Sequence, residues 1–276
     1  MLSNRNIDFL KIKAKQVRKD IIEMSFRAKS AHTGGALSCV EILVSLYFEI
    51  MNVDPQNPYD KNRDRLVFSK AHDAKALYAV LAERGFFDKK LLDGYESNNG
   101  KLPGHSTRHC VPGVEVSAGS LGHGLSMAVG MAYAGKIDNK KHKVFCVISD
   151  GECDEGSTWE GILFAGHHKL ENLVAIVDYN KLQGFGYTKD ILNLEPFSQK
   201  WESFGWEKVE LNGHNFNELI EAFKKLPIKK NKPTVIIAHT IKGLGGVPIY
   251  VNKVSSQYKP PTQEEAEEVI RRLSSK

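Results

Sequence analysis

The sequence predicts an α/β fold, a doubly wound parallel sheet with helices on both faces, and three observations predict it. Apolar runs at 65–68, 144–148 and 173–177 lack the alternation of a half-exposed strand, as strands covered on both faces do. Segments of helical periodicity separate them, and strand–helix–strand repetition implies parallel pairing through crossovers. Two of the runs end in Ser149-Asp150-Gly151-Glu152 and Asp178-Tyr179-Asn180, polar clusters at the carboxyl edge where such sheets bind ligands.

Taken in order, residues 7–28 place Phe9, Ile12, Val17, Ile21, Met24 and Ala28 at helical spacing, so 1–30 reads as an N-terminal helix, with Gly34 and Gly35 as its stop. Ser38 and Glu41 have capping-box spacing ahead of the apolar stretch 42–48, where a buried helix is expected. Asp54-Pro55 and Asn57-Pro58 mark a turn. A strand at 65–68 is followed by a helix at 74–84 that Gly85 closes. Residues 97–120, rich in Gly, Ser, Asn, Pro and His, form a loop of the length that usually carries function or moves. A small-residue helix at 125–135 leads to the strand 144–148, and 157–170 is the crossover helix to 173–177. Strands at 207–211 and 234–239 enclose a helix at 216–225, and Thr262 with Glu265 caps a last helix. No repeat, low-complexity stretch or linker interrupts this order. One domain over 1–276 is therefore expected, with 243–276 a C-terminal loop and helix.

Composition narrows the function classes. The 276 residues can bury a sizeable core, and 41% hydrophobic against 26% charged is an ordinary globular balance. The net charge of +5 is spread along the chain. Lys11, Lys13, Lys15, Arg18 and Lys19 cluster, but among Ile12, Val17, Ile21 and Ile22, so they read as a solvated helix face and not a nucleic-acid surface. Met1 to Arg18 has no apolar core, and no run nears the about 18 apolar residues of a membrane span. Neither a nucleic-acid nor a membrane partner is expected. Cys39, Cys110, Cys146 and Cys153 form no CxxC pair, which fits reduced thiols in a cytoplasm.

A hard cation such as Mg²⁺ takes oxygen ligands, usually one or two side chains completed by phosphate and water. A carboxylate at Asp150 and an amide oxygen at Asn180, on neighbouring strand ends, would supply such a pair. The helix after Asp150 would aim its first N–H groups at a phosphate. Asp-Gly and Asn-Lys are also ordinary turn pairs, so these two positions alone leave both readings open. Gly119, Gly122 and Gly124 would let backbone approach an anion before a helix N-terminus, or simply begin the helix. His32, His72 and His105 sit in Gly-, Ser- or Pro-containing loops, where imidazole can move protons near neutral pH and donate to phosphate or hydroxyl oxygens. Glu155 and Glu160 flank the start of the crossover helix, a position the helix dipole alone would favour. His109, His142, His167, His168 and Trp159 read as structural.

Asp150-Gly151, followed beyond the crossover helix by Asn180, resembles the thiamine diphosphate fingerprint, in which Asp, Asn and a nearby backbone carbonyl hold the cofactor's Mg²⁺. The longer stretch Ser149-Asp150-Gly151-Glu152-Cys153-Asp154-Glu155-Gly156, then Trp159-Glu160, then Asp178-Tyr179-Asn180-Lys181-Leu182-Gln183, resembles transketolase. Lys29-Ser30-Ala31-His32-Thr33-Gly34-Gly35 is similar to that family's Lys-Ser-Gly-His-Pro-Gly loop, and Ser69-Lys70-Ala71-His72 to its Ser-x-Gly-His. Pro103-Gly104-His105 resembles its Pro-Gly-His, and Gly119-Ser120-Leu121-Gly122-His123-Gly124 its Gly-Pro-Leu-Gly-Gln-Gly. The motifs stand in the family's order across 14–245.

The resemblance implies the thiamine diphosphate-binding fold, in its diphosphate-binding domain. It implies Mg²⁺ (or Ca²⁺ or Mn²⁺ in its place) on Asp150, Asn180 and the carbonyl near Leu182. Cofactor contacts would come from His72, Gly119, Ser120, Leu121, Gly122, Gly151, Glu152 and Lys242 beside Asp150 and Asn180. His32, His72 and His105 would surround the reacting carbon and the sugar hydroxyls. Glu155 and Glu160 would join an acidic network between paired active sites. The implied reaction moves a two-carbon ketol unit from a ketose, commonly a sugar phosphate, to an aldose. Ser120, His123, Asp73 and Ser149 depart from the pattern. So does Val254-Ser255-Ser256-Gln257-Tyr258-Lys259, which stands where related chains reach Trp-His-Gly, so that Gln257 replaces a fourth histidine and takes up no proton. A specialised sugar pathway is the variant this suggests. Transketolases are much longer, and their following domain carries the aminopyrimidine surface and its glutamate. The resemblance therefore implies the N-terminal subunit of a split transketolase, inactive alone, with a C-terminal partner subunit in an α2β2 heterotetramer. Another thiamine diphosphate enzyme, such as a decarboxylase or a 2-oxo-acid dehydrogenase subunit, would lack the three-histidine set. A non-catalytic binding or regulatory subunit would have no need of Asp150, Asn180 and all three histidines.

Overall fold

A computed structural model describes residues 4–275. Residues 1–3 and 276, the outer ends of the expected N-terminal helix and C-terminal tail, lie outside the described residues. The chain begins with α1 (Asn4–Arg27), α2 (Thr33–Ser38) and α3 (Val40–Ser45), then β1 (Arg65–Phe68), α4 (Ala74–Arg84) and α5 (His123–Ile137). Next come β2 (Val144–Ser149), α6 (Gly156–His167), β3 (Leu173–Tyr179), α7 (Thr188–Ile191) and α8 (Phe197–Ser203). The last elements are β4 (Glu207–Asn212), α9 (Phe216–Lys224), β5 (Thr234–His239), α10 (Ser255–Tyr258) and α11 (Gln263–Ser274).

The five strands form one parallel sheet in the order β1-β2-β3-β5-β4. Side chains alternate across a strand, and here both faces are covered. Phe145, Val147, Val174, Ile176 and Ile236 pack with α1, α3, α4, α9 and α11. Val144, Cys146, Ile148, Leu173, Ala175, Val177 and Ile237 pack with α5, α6 and α8. That two-sided burial is why the strands read as unbroken apolar runs, and the doubly wound parallel sheet expected from the sequence is the one that forms. In register, Ser149 lies opposite Asp178 and Tyr179 opposite His239. The chain segments leaving β2, β3 and β5 therefore emerge side by side at the carboxyl edge.

Gly85 ends α4 in the left-handed region, at φ 94°, as expected of a C-terminal glycine. The capping box of Thr262 and Glu265 is formed at α11. Two local expectations fail. α1 stops at Arg27, and Gly34 and Gly35 lie inside α2, where they serve close approach. A Cβ on Gly34 would stand 2.2 Å from Ser256 Oγ, and one on Gly35 2.4 Å from Asp73 Oδ2. Ser38 and Glu41 form no capping box, because long-range partners claim both. Ser38 donates to the buried Asp178 carboxylate, and Glu41 pairs with Arg18 at 2.7 Å and with His214 at 3.0 Å. Arg18 is thereby buried, unlike the solvated lysines of its cluster. Among the described residues no helix is long and apolar enough to cross a membrane.

Candidate active site

β2 and β3 deliver the expected oxygen ligands to one cleft of about 360 Å³ at the carboxyl edge, which Asp150, Asn180 and Leu182 all line. The Asp150 carboxylate, buried at the strand end, accepts the N–H groups of Gly151 (2.7 Å) and Lys181. Asn180 Oδ1 accepts the Leu182 N–H at 3.0 Å, which fixes the amide. Burial and the nearby Asp178 carboxylate push the Asp150 pKa up to about 6. Lys242, buried and with its pKa lowered by that burial, donates to the Leu182 carbonyl at 2.8 Å. Among the described residues no group of three or more His, Cys, Asp and Glu could hold a metal by itself. One carboxylate, one amide oxygen and one carbonyl do suit a hard divalent ion, provided anionic oxygens from a ligand complete its shell.

The three predicted histidines reach the same cleft from separate loops. The His32 ring lies 5.2 Å from that of His72 and 6.5 Å from that of His105. His32 caps α2 at φ 62°, a left-handed conformation that a non-glycine residue keeps only when its surroundings impose it. Those surroundings are visible. The His32 N–H donates to the Gln257 carbonyl at 2.8 Å, and the Gln257 amide meets His32 Nδ1 at 2.6 Å. The buried Lys75 ammonium holds the preceding turn through Ser25, Ser30 and Ala31, and burial pushes its pKa down to about 8. Burial also lowers the His32 pKa, which favours the neutral ring.

Behind His72 lies a charge cluster that sequence reasoning missed. Lys70, 1% exposed, donates to the Asp178 carboxylate and to the Gly35 carbonyl, and stands 3.0 Å from Asp73 Oδ2. Asp73 is fully buried and reaches His72 Nε2 at 3.3 Å. Burial opposes both charges, yet the Asp178 and Asp73 carboxylates hold Lys70 well above the lysine range, and Lys70 with His72 holds Asp73 well below the carboxylate range. Asp73, the departure noted after His72, is thus a counter-charge for Lys70. The signal was a lysine and an aspartate three residues apart inside a motif already quoted.

Other expected residues are placed differently. Gly119 and Leu121 line the cleft, whereas Ser120 faces away beside His123 and Ser157. Gly122 begins α5 in the left-handed region, at φ 82°, and Gly124 packs on Ser69. Glu152 does not reach the cleft. It is fully buried, accepts the Ser69 hydroxyl and the Gly122 N–H (2.9 Å), and so braces the 119–124 loop against β1. Gly151 lines the cleft, while Glu155 and Glu160 are exposed at the start of α6. Gln183, Gly184, Phe185 and Tyr258 line it unforeseen. Leu182 bridges to Tyr187 and Tyr258 Oη donates to the Gly184 carbonyl at 2.7 Å, so 182–187 is a small hairpin at the cleft mouth, with Gly184 and Gly186 as the sequence cue.

The family profile described as transketolase, thiamine diphosphate binding domain, matches residues 11–274. The chain belongs to the transketolase family. It is similar to one of the subunits of the apulose-4-phosphate transketolase of Phocaeicola vulgatus, at 39% identity over 97% of this chain and 95% of that protein. It is also similar to the 6-deoxy-6-sulfo-D-fructose transketolase subunit SqwG of a Clostridium species, at 43% identity over 88% of each. The transketolase structure from Campylobacter jejuni superposes with a TM-score of 0.89 at 30% identity, covering 96% of this chain and 43% of that one. The chain therefore spans less than half of the transketolase structures it matches, and the part it spans is the thiamine diphosphate-binding domain. The α/β fold and the family resemblance read from the motifs both hold.

Proposed function

We propose that this transketolase-family chain is the N-terminal, thiamine diphosphate-binding subunit of a two-chain transketolase that moves a two-carbon ketol unit from a ketose to an aldose. The observation that carries the reading is the meeting, in one cleft, of the Asp150, Asn180 and Leu182 oxygens with three imidazoles. Residues 1–276 act as one diphosphate-binding unit. Asp150, Asn180 and the Leu182 carbonyl would hold Mg²⁺, and Lys242 and Gly151 line the cleft where the diphosphate would lie. When bound, thiamine diphosphate supplies the nucleophilic carbon and stores the electron pair while the sugar's C–C bond breaks. The protein's part is orientation and proton handling: His32, His72 and His105 bind sugar hydroxyl and carbonyl oxygens and relay protons between them. A second chain supplies the aminopyrimidine half, two copies of each pair, and Glu155 and Glu160 lie where the copies meet. The four unpaired cysteines fit a cytoplasmic setting.

A specialised sugar is favoured over ordinary pentose phosphates. Two relatives of nearly this length carry names for apulose-4-phosphate and 6-deoxy-6-sulfo-D-fructose, and Gln257 stands in the cleft where a histidine was expected. Co-expression with the partner gene, light scattering and a donor–acceptor screen test both parts. The expected result is activity only in the complex, with apulose 4-phosphate or a sulfonated ketose outpacing xylulose 5-phosphate. A single chain that turns over ketoses unaided would overturn the two-chain reading.

A further inference from the structure

Within that proposed reaction, we infer that Gln257 is a positioning residue that fixes the tautomer of His32 and makes its ring a hydrogen-bond donor to a sugar hydroxyl or carbonyl oxygen. The Gln257 carboxamide nitrogen stands 2.6 Å from His32 Nδ1, and Gln257 Oε1 is buried without a partner. Turning the amide over would set Oε1 against Nδ1 and bury an NH₂ group carrying two donors. Orphaning two donors costs more than orphaning one acceptor, so the amide donates and Nδ1 accepts. His32 is then the Nε2–H tautomer and offers only a donor to the cleft. Its main-chain N–H is held by the carbonyl of the same glutamine, so one residue fixes both the backbone and the ring.

His72 is held differently. Its Nε2 lies 3.3 Å from the buried Asp73 carboxylate, a charge contact without a hydrogen bond, so the geometry assigns a tautomer to His32 alone. The rings are 5.2 Å apart. A sugar hydroxyl or carbonyl oxygen can accept the hydrogen bond that His32 Nε2–H offers. A histidine at 257 would be free to exchange tautomers and to charge near neutral pH. Glutamine removes that freedom.

The test has one arm that is independent of catalysis. Long-range ¹H–¹⁵N NMR of the ¹⁵N-histidine-labelled chain, with His32 assigned from an H32N spectrum, reads the tautomer directly. The expected result is an unprotonated Nδ1 in the wild type, lost or mixed in Q257L, and an Nδ1–H signal in Q257E, whose carboxylate can only accept. An Nδ1–H tautomer in the wild type, or a Q257L spectrum identical to it, would overturn the inference. The second arm uses the reconstituted two-chain enzyme. Q257E is expected to lower kcat/KM at least about tenfold with thiamine diphosphate Kd unchanged, and Q257H to recover part of it with a new ionisation in the pH profile. Equal kcat/KM and pH profiles across wild type, Q257E and Q257H would also overturn it. A complex inactive in every form, with the NMR result as expected, would sink the transketolase reading and leave the tautomer assignment standing.

Discussion

The cleft has two corners, and they are built by different means. The oxygen corner is set by strand ends: Asp150 and Asn180 follow β2 and β3, whose register is fixed by buried ladders on both sides. The imidazole corner is set by loops: His32, His72 and His105 come from three segments, the first two held from outside by the buried Lys75 and Asp73 and the half-buried Gln257. A strand end inherits its position from the sheet. A loop residue has to be given one, and here that work falls to charges and amides behind the rings.

Four experiments break or sharpen this contrast. The largest effect is expected from Lys70→Met, which leaves Asp178 and Asp73 buried without their cation. Removing one partner of a buried charge cluster typically costs about 3–5 kcal/mol, so urea unfolding should shift by that order. A change under about 1 kcal/mol would mean that the imidazole corner does not depend on the cluster. Asp150→Ala should weaken thiamine diphosphate binding by the Mg²⁺-loaded complex about 100-fold, equivalent to about 2.7 kcal/mol, in calorimetry. The thermal midpoint should change little, because the variant removes a carboxylate that burial disfavours but also leaves the Gly151 and Lys181 N–H groups without their acceptor. Equal affinity would dismiss Asp150 as a ligand. Phe185 is 90% exposed at the hairpin beside the cleft, an apolar surface that the proposed partner would cover. Phe185→Ser should weaken association about tenfold without altering the chain's own melting.

The smallest effect is a pH slope. Burial lowers the folded pKa of His32 below its ordinary 6.5, so the unfolded chain binds that proton more readily. The resulting loss of stability begins as pH falls through about 6.5 and is absent above it. His32→Asn should flatten the slope in that window, read as midpoint against pH, and leave the value at pH 8 little changed. Loss of midpoint at pH 8 instead would point to a packing role for the ring.

How much of this was legible follows the same division. The strands, their order of appearance and the ends carrying Asp150 and Asn180 were readable because two-sided burial writes itself as unbroken apolar sequence. The expected Thr262–Glu265 cap formed because its partners are neighbours in the chain. Ser38–Glu41 had the same spacing and failed, since Asp178, 140 residues away, took Ser38 and Arg18 and His214 took Glu41. Glu152 was placed toward the cofactor by the family resemblance, but it turns inward to Ser69 and Gly122. The histidines were nominated by their loop surroundings and by the family's motifs. Their mutual geometry was not legible, since it depends on Lys70, Lys75 and Gln257, which reach them across the fold.

The two adjacent glycines of α2 face different neighbours. A methyl on Gly34 would press on Ser256 in α10, and one on Gly35 on Asp73. The first turn of α2 is therefore a shared floor: one side supports the segment that carries Gln257, the other the aspartate beside His72. An alanine at 34 would press on the first wall and one at 35 on the second, so the two substitutions are expected to disturb the same pair of rings from opposite sides.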